Sequence, residues 1–188
     1  MRTFSHFFRP WLPAMALGLA ASVVGAQASG ASRGQDKLDR KDIAFMEQAA
    51  ENNHAEIASS QLALKQSANA QVKEFAQQMV ADHQKTGEEL AQLAAAKGVT
   101  LPRGPSMVQK AKLKLLEMAD GEKFDHQYSE SWGVKAHVET VELFEKAAAQ
   151  AQDPQVKSFA ATTLPALQQH LHKARQLPAL RADGRDAR

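Results

Sequence analysis

The octapeptides "NAQVKEFA" (residues 69–76) and "DPQVKSFA" (residues 153–160) decide the fold of this 188-residue chain. Each begins with a residue that caps helix N-termini, Asn69 or Asp153, and continues with apolar residues at helical spacing. Pro154 follows its cap at the first helical position, where a missing N–H costs nothing. The two octapeptides therefore predict two equivalent helix starts, 84 positions apart.

The same ungapped offset relates the segments before these caps. It places Asn53 on His137 and Ile57 on Val141, all on the predicted inward faces of helices. Chance similarity is the alternative, because local helix patterns are few and two unrelated alanine-rich amphipathic helices can therefore look alike. The agreement of the inward faces favours two copies of one helical hairpin.

Four long stretches carry apolar residues at helical spacing, and none alternates with period two. The first begins at a cap supplied by Asp39 or Asp42, the second ends at Gly98, and the third begins near Gly121. Between the hairpins, a connection leads to a short helix that opens at Ser106. The sequence predicts an all-α, ferritin-like four-helix bundle over residues 39–177, in which two similar hairpins are joined by a long connection with a short extra helix.

The N-terminal 28 residues have the pattern of a secretory signal peptide: Arg2 and Arg9, then the apolar "WLPAMALGLAASVV" (11–24) and a small-residue cleavage site at Ala26-Gln27-Ala28. We therefore expect residues 29–38 to be a flexible leader, residues 178–188 a disordered tail, and the protein to reside in the periplasm or cell envelope. Whether the signal is cleaved or kept as an anchor stays open. The chain has no cysteine, which excludes disulfides.

The formal net charge of +2 falls to zero when both signal arginines are removed. A neutral chain with interspersed charges lacks the basic surface of a nucleic-acid binder. We expect membrane contact only through the uncleaved signal peptide, and a protein partner or a homo-oligomer as the possible assemblies. The run "KAKLK" (110–114) is interpreted as a solvated face or a weak anionic contact.

Polar residues interrupt the inward faces near mid-bundle. His83, His137 and His170 occupy apolar positions on three helices, and the first helix offers Asn53 with Glu56 beside it. At 1.5 Å per residue, each lies roughly 21 to 26 Å from the turn of its own hairpin, so they share one level. His54, His126 and His172 fall off these faces and are interpreted as surface residues.

Two interpretations of this level stay open. In one, the imidazoles form a buried polar layer, bonded to one another, to Asn53, Thr86 or Thr163, or to water. In the other, His83, His137, His170 and Glu56 hold a transition metal such as zinc, copper or iron. The Glu-x-x-His pairs of di-iron bundles are missing, so oxygen-activating di-iron chemistry is not supported.

Asp82 has two predicted roles. It can orient a metal-bound imidazole as a hydrogen-bond acceptor. It also points about 100° away from His83 around the helix, which favours a salt bridge with a lysine or a contact to another helix.

"FAQQMVADHQKTGEEL" (75–90), "AHVETVELFEKAA" (136–148) and "FAATTLPALQQHL" (159–171) together resemble the bacterial family called domain of unknown function 4142, placed in the ferritin-like superfamily. The resemblance implies an exported helical bundle and no established reaction. We expect a non-enzymatic structural, stress-related or partner-binding module, with a metal-binding or metal-dependent redox bundle as the alternative.

Overall fold

The structure is a computed structural model that describes residues 38–180. These form six α-helices, a π-helical segment and a short 3₁₀ turn. Their bounds are α1 Arg40–Gln66, α2 Ala70–Lys97, α3 Met107–Glu117, α4 Gly121–Gln127, the π segment Tyr128–Lys135, α5 Ala136–Gln150, α6 Pro154–Ala174 and the turn Pro178–Leu180. The predicted signal peptide, leader residues 29–37 and tail residues 181–188 lie outside the described residues.

The predicted all-α bundle is confirmed. Helix α1 packs along α2, and α5 packs along α6, so that the two predicted hairpins are the main packing units. Helix α4, the π segment and α5 run on without a break as the third long element, while α3 lies in the connection between the hairpins. Within residues 38–180 there is no strand, and no helix is both long enough and apolar enough to cross a membrane.

The two octapeptides form matching helix starts. The Asn69 side chain accepts hydrogen bonds from the backbone N–H groups two and three residues ahead, at 2.9 and 3.3 Å. Asp153 does the same at 2.9 and 3.1 Å. Gly98 ends α2 in the left-handed conformation, with φ of 69°, which glycine adopts without a steric penalty. The predicted capping box of Ser106 and Gln109 is present at α3.

Asp39 and Asp42 have different roles at the start of α1. Asp39 caps the helix by accepting from the Lys41 N–H at 2.7 Å. Asp42 is buried and accepts instead from the backbone N–H groups of Gln152 and Asp153, at 3.1 and 2.7 Å to its Oδ2. The Asp42 carboxylate thus joins the start of the first hairpin to the turn of the second.

The π segment changes the inward face predicted for the third helix. The helical spacing of apolar residues in this stretch predicts that Ser131 and Val134 face inward, but they are half-buried, whereas Trp132 and Gly133 are buried. The cause is the wider π turn, in which the Ala136 N–H bonds the carbonyl five residues back. This turn inserts the equivalent of an extra residue and rotates the following side chains around the helix.

The apolar core consists of two clusters, one towards each end of the bundle. One contains Phe45 and Phe144, and the other contains Phe75 and Tyr128. Buried polar residues from four elements lie at the level between them, and they are Asn53, Glu56, His83, His137 and His170. The predicted mid-bundle polar level is therefore present.

Candidate metal centre

Three histidine side chains meet at the centre of the bundle. His83 comes from α2, His137 from the first turn of α5, and His170 from α6. All three are at least 96% buried, and their ring centroids lie 5.6 to 5.8 Å apart. One nitrogen from each ring lies within 4.8 Å of one nitrogen from each of the others. The structure thus brings together three of the four predicted ligands.

One nitrogen of each imidazole is hydrogen-bonded to an oxygen atom outside the cluster. The pairs are His83 Nδ1 with Asn53 Oδ1 at 3.1 Å, His137 Nδ1 with the Trp132 carbonyl at 3.0 Å, and His170 Nε2 with Asp82 Oδ2 at 2.9 Å. Carbonyl and carboxylate oxygens accept hydrogen bonds, so these nitrogens carry the ring protons. Each neutral ring is thereby held in one tautomer and one orientation.

The second nitrogen of each ring is buried and has no hydrogen-bond partner. These atoms are His83 Nε2, His137 Nε2 and His170 Nδ1. Because the proton sits on the other nitrogen, each of them presents a lone pair. Lone pairs cannot hydrogen-bond one another, so the interpretation in which the imidazoles satisfy each other does not fit this geometry. Asn53 is the predicted partner that is found, while Thr86 and Thr163 bond backbone carbonyls of their own helices.

Burial keeps the three imidazoles neutral. Loss of hydration lowers the pKa of His137 to about 4, against the opposing effect of its hydrogen bond to the Trp132 carbonyl. Burial holds the pKa of His83 well below its ordinary value, and the neighbouring His137 and His170 lower it further. Burial also lowers the pKa of His170, although the hydrogen bond to Asp82 acts in the opposite direction. The rings are therefore neutral at pH 7, and each has one nitrogen without a proton, as metal ligation requires.

Glu56 is buried beside the cluster and is not among the converging ligand atoms. Its Oε1 lies 3.9 Å from His137 Nδ1, the nitrogen that bonds the Trp132 carbonyl, and has no hydrogen-bond partner. Burial raises the pKa of the Glu56 carboxyl well above its ordinary value. Glu56 also lines a cleft of about 360 Å³ between α1, α3 and the π segment.

We expect Glu56→Gln to stabilise the protein at neutral pH. Because burial raises the pKa of the Glu56 carboxyl in the folded state, its contribution to stability is complete below the unfolded pKa and is lost as pH rises towards the folded pKa. Glutamine imitates the protonated form and carries no charge at any pH, so the gain in the free energy of unfolding should be larger at pH 7 than at pH 4. Urea unfolding at pH 7 and pH 4 measures it.

The exposed Glu47 on the same helix supplies the matched control, Glu47→Gln. A stabilisation by Glu56→Gln that is equally large at pH 4, or that Glu47→Gln reproduces, would contradict a raised pKa of Glu56 in the folded protein.

Gly87 makes room for the Asn53 amide that holds His83. A Cβ atom at position 87 would lie 2.6 Å from Asn53 Nδ2, closer than non-bonded atoms approach. We expect Gly87→Ala to displace this amide, to destabilise the fold by about 1–3 kcal/mol, and to release the His83 ring. Gly104→Ala is the control, because a Cβ atom there meets nothing within 4 Å.

Thermal melts and the histidine ring NMR signals test this expectation. His83 resonances that are unchanged in Gly87→Ala would show that Asn53 does not set the ring position.

Two supports of the site were not predicted from the sequence. Where the π turn returns to α-helical spacing, one backbone carbonyl is left without an amide donor. The Trp132 carbonyl is in this position and accepts a hydrogen bond from the His137 ring instead. Gly87 gave no signal beyond being a glycine inside a helical pattern. Asp82 makes the predicted contact to another helix, through His170, and its role in orienting a metal-bound imidazole stays a prediction. His172 is exposed as predicted, whereas His54 and His126 are half-buried.

Comparison with protein families gives one match that spans most of the chain. The model described as "Domain of unknown function (DUF4142)" matches residues 27–177. No curated protein shows significant similarity to the sequence.

Several solved structures share the fold at low sequence identity. A DUF305 fragment from Deinococcus radiodurans is 12% identical, with a TM-score of 0.66 over 74% of this chain and 95% of that chain. A "putative secreted protein DUF305" from Streptomyces coelicolor is 13% identical, with a TM-score of 0.64 over 76% and 92%. A conserved hypothetical protein from Mycobacterium tuberculosis is 17% identical, with a TM-score of 0.58 over 72% and 96%. At these identities the likeness establishes the helical-bundle fold alone.

Proposed function

The chain belongs to the domain of unknown function (DUF4142) family, and we propose that it binds one transition-metal ion between His83, His137 and His170. The observation that carries this proposal is the set of three buried imidazoles from three helices, each of which has one unpartnered ring nitrogen and offers one ligand nitrogen within 4.8 Å of the others. A single cation can accept all three lone pairs. The three rings cannot satisfy one another, because their N–H groups point to other partners.

The hydrogen bonds on the far side of each ring also support a metal site. Ligating histidines generally donate their second ring N–H to a carboxylate or carbonyl oxygen, which fixes the tautomer and makes the ligand more basic. Asp82, the Trp132 carbonyl and Asn53 are placed to do this for the three rings. In this arrangement Asp82 and Asn53 are positioning residues, and the three histidines are the ligands.

The donor set favours zinc or copper. Neutral imidazole nitrogens suit both ions, and Cu²⁺ generally binds such ligands more tightly than Zn²⁺. Nitrogens around one tetrahedral zinc lie roughly 3.4 Å apart, so the ligand nitrogens, which lie within 4.8 Å of one another, would move closer together when an ion binds. Three protein ligands leave a fourth position for water or another small ligand.

Glu56 is the fourth residue that we predict at the site. Glu56 approaches Nδ1 of His137, the nitrogen that is hydrogen-bonded to the Trp132 carbonyl. Glu56 therefore does not approach Nε2, the nitrogen of this ring that is free to bind a metal. Its position supports a role in balancing the charge of a bound cation from behind His137. Direct ligation by Glu56 would require its side chain to move round the ring.

Titration of untagged protein with Zn²⁺ and with Cu²⁺ tests the proposal, by calorimetry and by elemental analysis after dialysis. We expect one ion per chain in the wild type. His170→Ala removes a ligand and weakens binding by at least about a hundredfold, whereas His172→Ala, on the exposed side of the same helix, leaves affinity unchanged.

A wild-type protein that stays metal-free with both ions would overturn the metal site. The structural or partner-binding role expected from the sequence would then remain as the function of the bundle. Equal losses in His170→Ala and His172→Ala would place the ion at the surface instead of the core.

We also propose that the protein acts in the periplasm or cell envelope. The signal-peptide pattern of residues 1–28 supports export. The name of the Streptomyces coelicolor protein with the same fold agrees with this proposal. Fractionation of cells that express the full chain, together with the N-terminal sequence of the product, tests it. A cytoplasmic product that retains residues 1–28 would contradict it.

A further inference from the structure

Helix α3 carries an apolar face that no other described residue covers. The large hydrophobic side chains exposed among residues 38–180 all lie on this helix or directly after it, and they are Met107 (79% exposed), Val108 (67%), Leu115 (61%) and Met118 (75%). At 100° per residue these four positions fall within one sector of about 100°. They therefore form a continuous outward stripe, which we name the α3 stripe.

The α3 helix is fixed to the bundle by its opposite face. Leu116 is completely buried and Leu113 is partly buried against the cluster that contains Phe75 and Tyr128. The capping box holds the first turn, and Gln109 Nε2 donates to Asn52 Oδ1 of α1 at 2.8 Å. The α3 stripe is thus displayed by an anchored helix.

Lysines border the α3 stripe on both sides. Lys112 lies along one edge of the sector, and Lys110 and Lys114 lie along the other. All three are exposed. Glu117, the one acid on α3, is bonded to Lys114 at 2.8 Å and also lies near Lys65 of α1. This border is therefore positively charged, although the chain without its signal segment is neutral overall.

We propose that the α3 stripe and its lysines bind the surface of an anionic lipid membrane. An amphipathic helix lies in the interfacial plane when an apolar face is flanked by lysines that contact lipid headgroups. Each lysine near an anionic surface contributes about 1 kcal/mol, and this contribution is screened by salt. This proposal departs from the expectation that membrane contact occurs only through the uncleaved signal peptide.

A second copy of the chain fits this surface less well. If two α3 stripes packed against each other, three lysines of one copy would lie near three of the other, with Glu117 as the only acid on each helix. Like charges brought together in this way oppose association. The positive border and the apolar stripe together match an anionic lipid layer.

Co-sedimentation with vesicles tests the proposal. The chain from Ser29 onwards is used, because the apolar signal segment would itself enter lipid and because the described residues 38–180 belong to one compact unit. We expect binding to vesicles of phosphatidylglycerol and phosphatidylethanolamine, weak binding to phosphatidylcholine vesicles, and release by raised salt. Binding that is absent, or equal for both vesicle types, would overturn the proposal.

Two charge-matched variants separate the apolar stripe from net charge. Leu115→Glu with Met118→Glu removes two apolar contacts and is expected to weaken binding by more than about tenfold. Ala91→Glu with Ala95→Glu adds the same charge on an exposed face of α2 and should have a much smaller effect. Equal losses in the two variants would mean that charge alone governs binding and would contradict the role of the stripe.

A fluorescence measurement tests the same contact without removing it. Met118→Trp places an indole at the end of the α3 stripe, and we expect its emission to shift to the blue when anionic vesicles are added. An unchanged emission spectrum while the protein sediments with the vesicles would place the contact elsewhere and overturn the assignment to α3.

Discussion

Zinc at about a thousand times its dissociation constant is expected to raise the free energy of unfolding by about 4 kcal/mol. The physical reason is linkage: an ion that binds only the folded state stabilises it in proportion to the logarithm of its concentration. The ligands come from α2, α5 and α6, which span both hairpins, so the unfolded chain cannot bring them together. Copper should act in the same way, and a chelator should remove the gain.

Urea unfolding at several metal concentrations measures this stabilisation. His137→Ala should gain much less, at most about 1.4 kcal/mol at the same zinc concentration, because loss of one of the three ligands weakens binding at least about a hundredfold. His172→Ala should gain as much as the wild type. Equal stabilisation of all three proteins would place the ion outside the histidine cluster, and destabilisation of the wild type would mean that metal prefers the unfolded chain.

The fold was predictable from the sequence because its determinants are local. Asn69 and Asp153 cap helices through hydrogen bonds to residues two and three positions ahead, and Gly98 ends α2 through its own backbone conformation. Interactions within one turn leave a sequence pattern. The shared level of the three histidines was predictable for a related reason, since helical rise is constant and the hairpin caps give a common origin.

The orientation of the site was not predictable, because it depends on contacts between distant segments. The Trp132 carbonyl is available to His137 only through the π segment, which has no local sequence signature. Asp82 reaches His170 across 88 positions of sequence. Helical spacing predicted that Glu56 lies near the histidines. Which nitrogen of the His137 ring it approaches depends on how α1 packs on α5.

The same limit applies to the surface. The apolar residues of α3 follow a helical pattern, which ordinarily indicates a buried face. This short helix has apolar residues on two faces and can bury only one, and Leu116 rather than Leu115 lies on the buried side. The pattern predicted the helix, and only the structure distinguishes its covered face from its exposed one.

Acid is expected to destabilise the metal-free protein between pH 6.5 and pH 4, because its core histidines resist protonation. A histidine with a depressed pKa in the folded state binds its proton only on unfolding, so the stability it contributes is complete above pH 6.5 and is lost as pH falls. For His137, whose pKa is lowered to about 4, the loss at pH 5 relative to pH 7 is about 2 kcal/mol.

His83 and His170 change stability in the same direction, since their pKa values are also lowered. Glu56, whose pKa is raised, opposes them. Bound metal should offset part of the loss until protons compete for the imidazoles.

The free energy of unfolding at pH 7 and pH 5, measured in urea for the metal-free wild type and two variants, tests this expectation. His137→Gln replaces the ring with a polar group that does not titrate, so its stability should fall by about 2 kcal/mol less than that of the wild type between the two pH values. His172→Gln, at an exposed position, should keep the full wild-type dependence. If His137→Gln lost as much stability on acidification as the wild type, His137 would be free to take up its proton inside the fold. The three neutral rings on which metal binding depends would then not exist below pH 6.5.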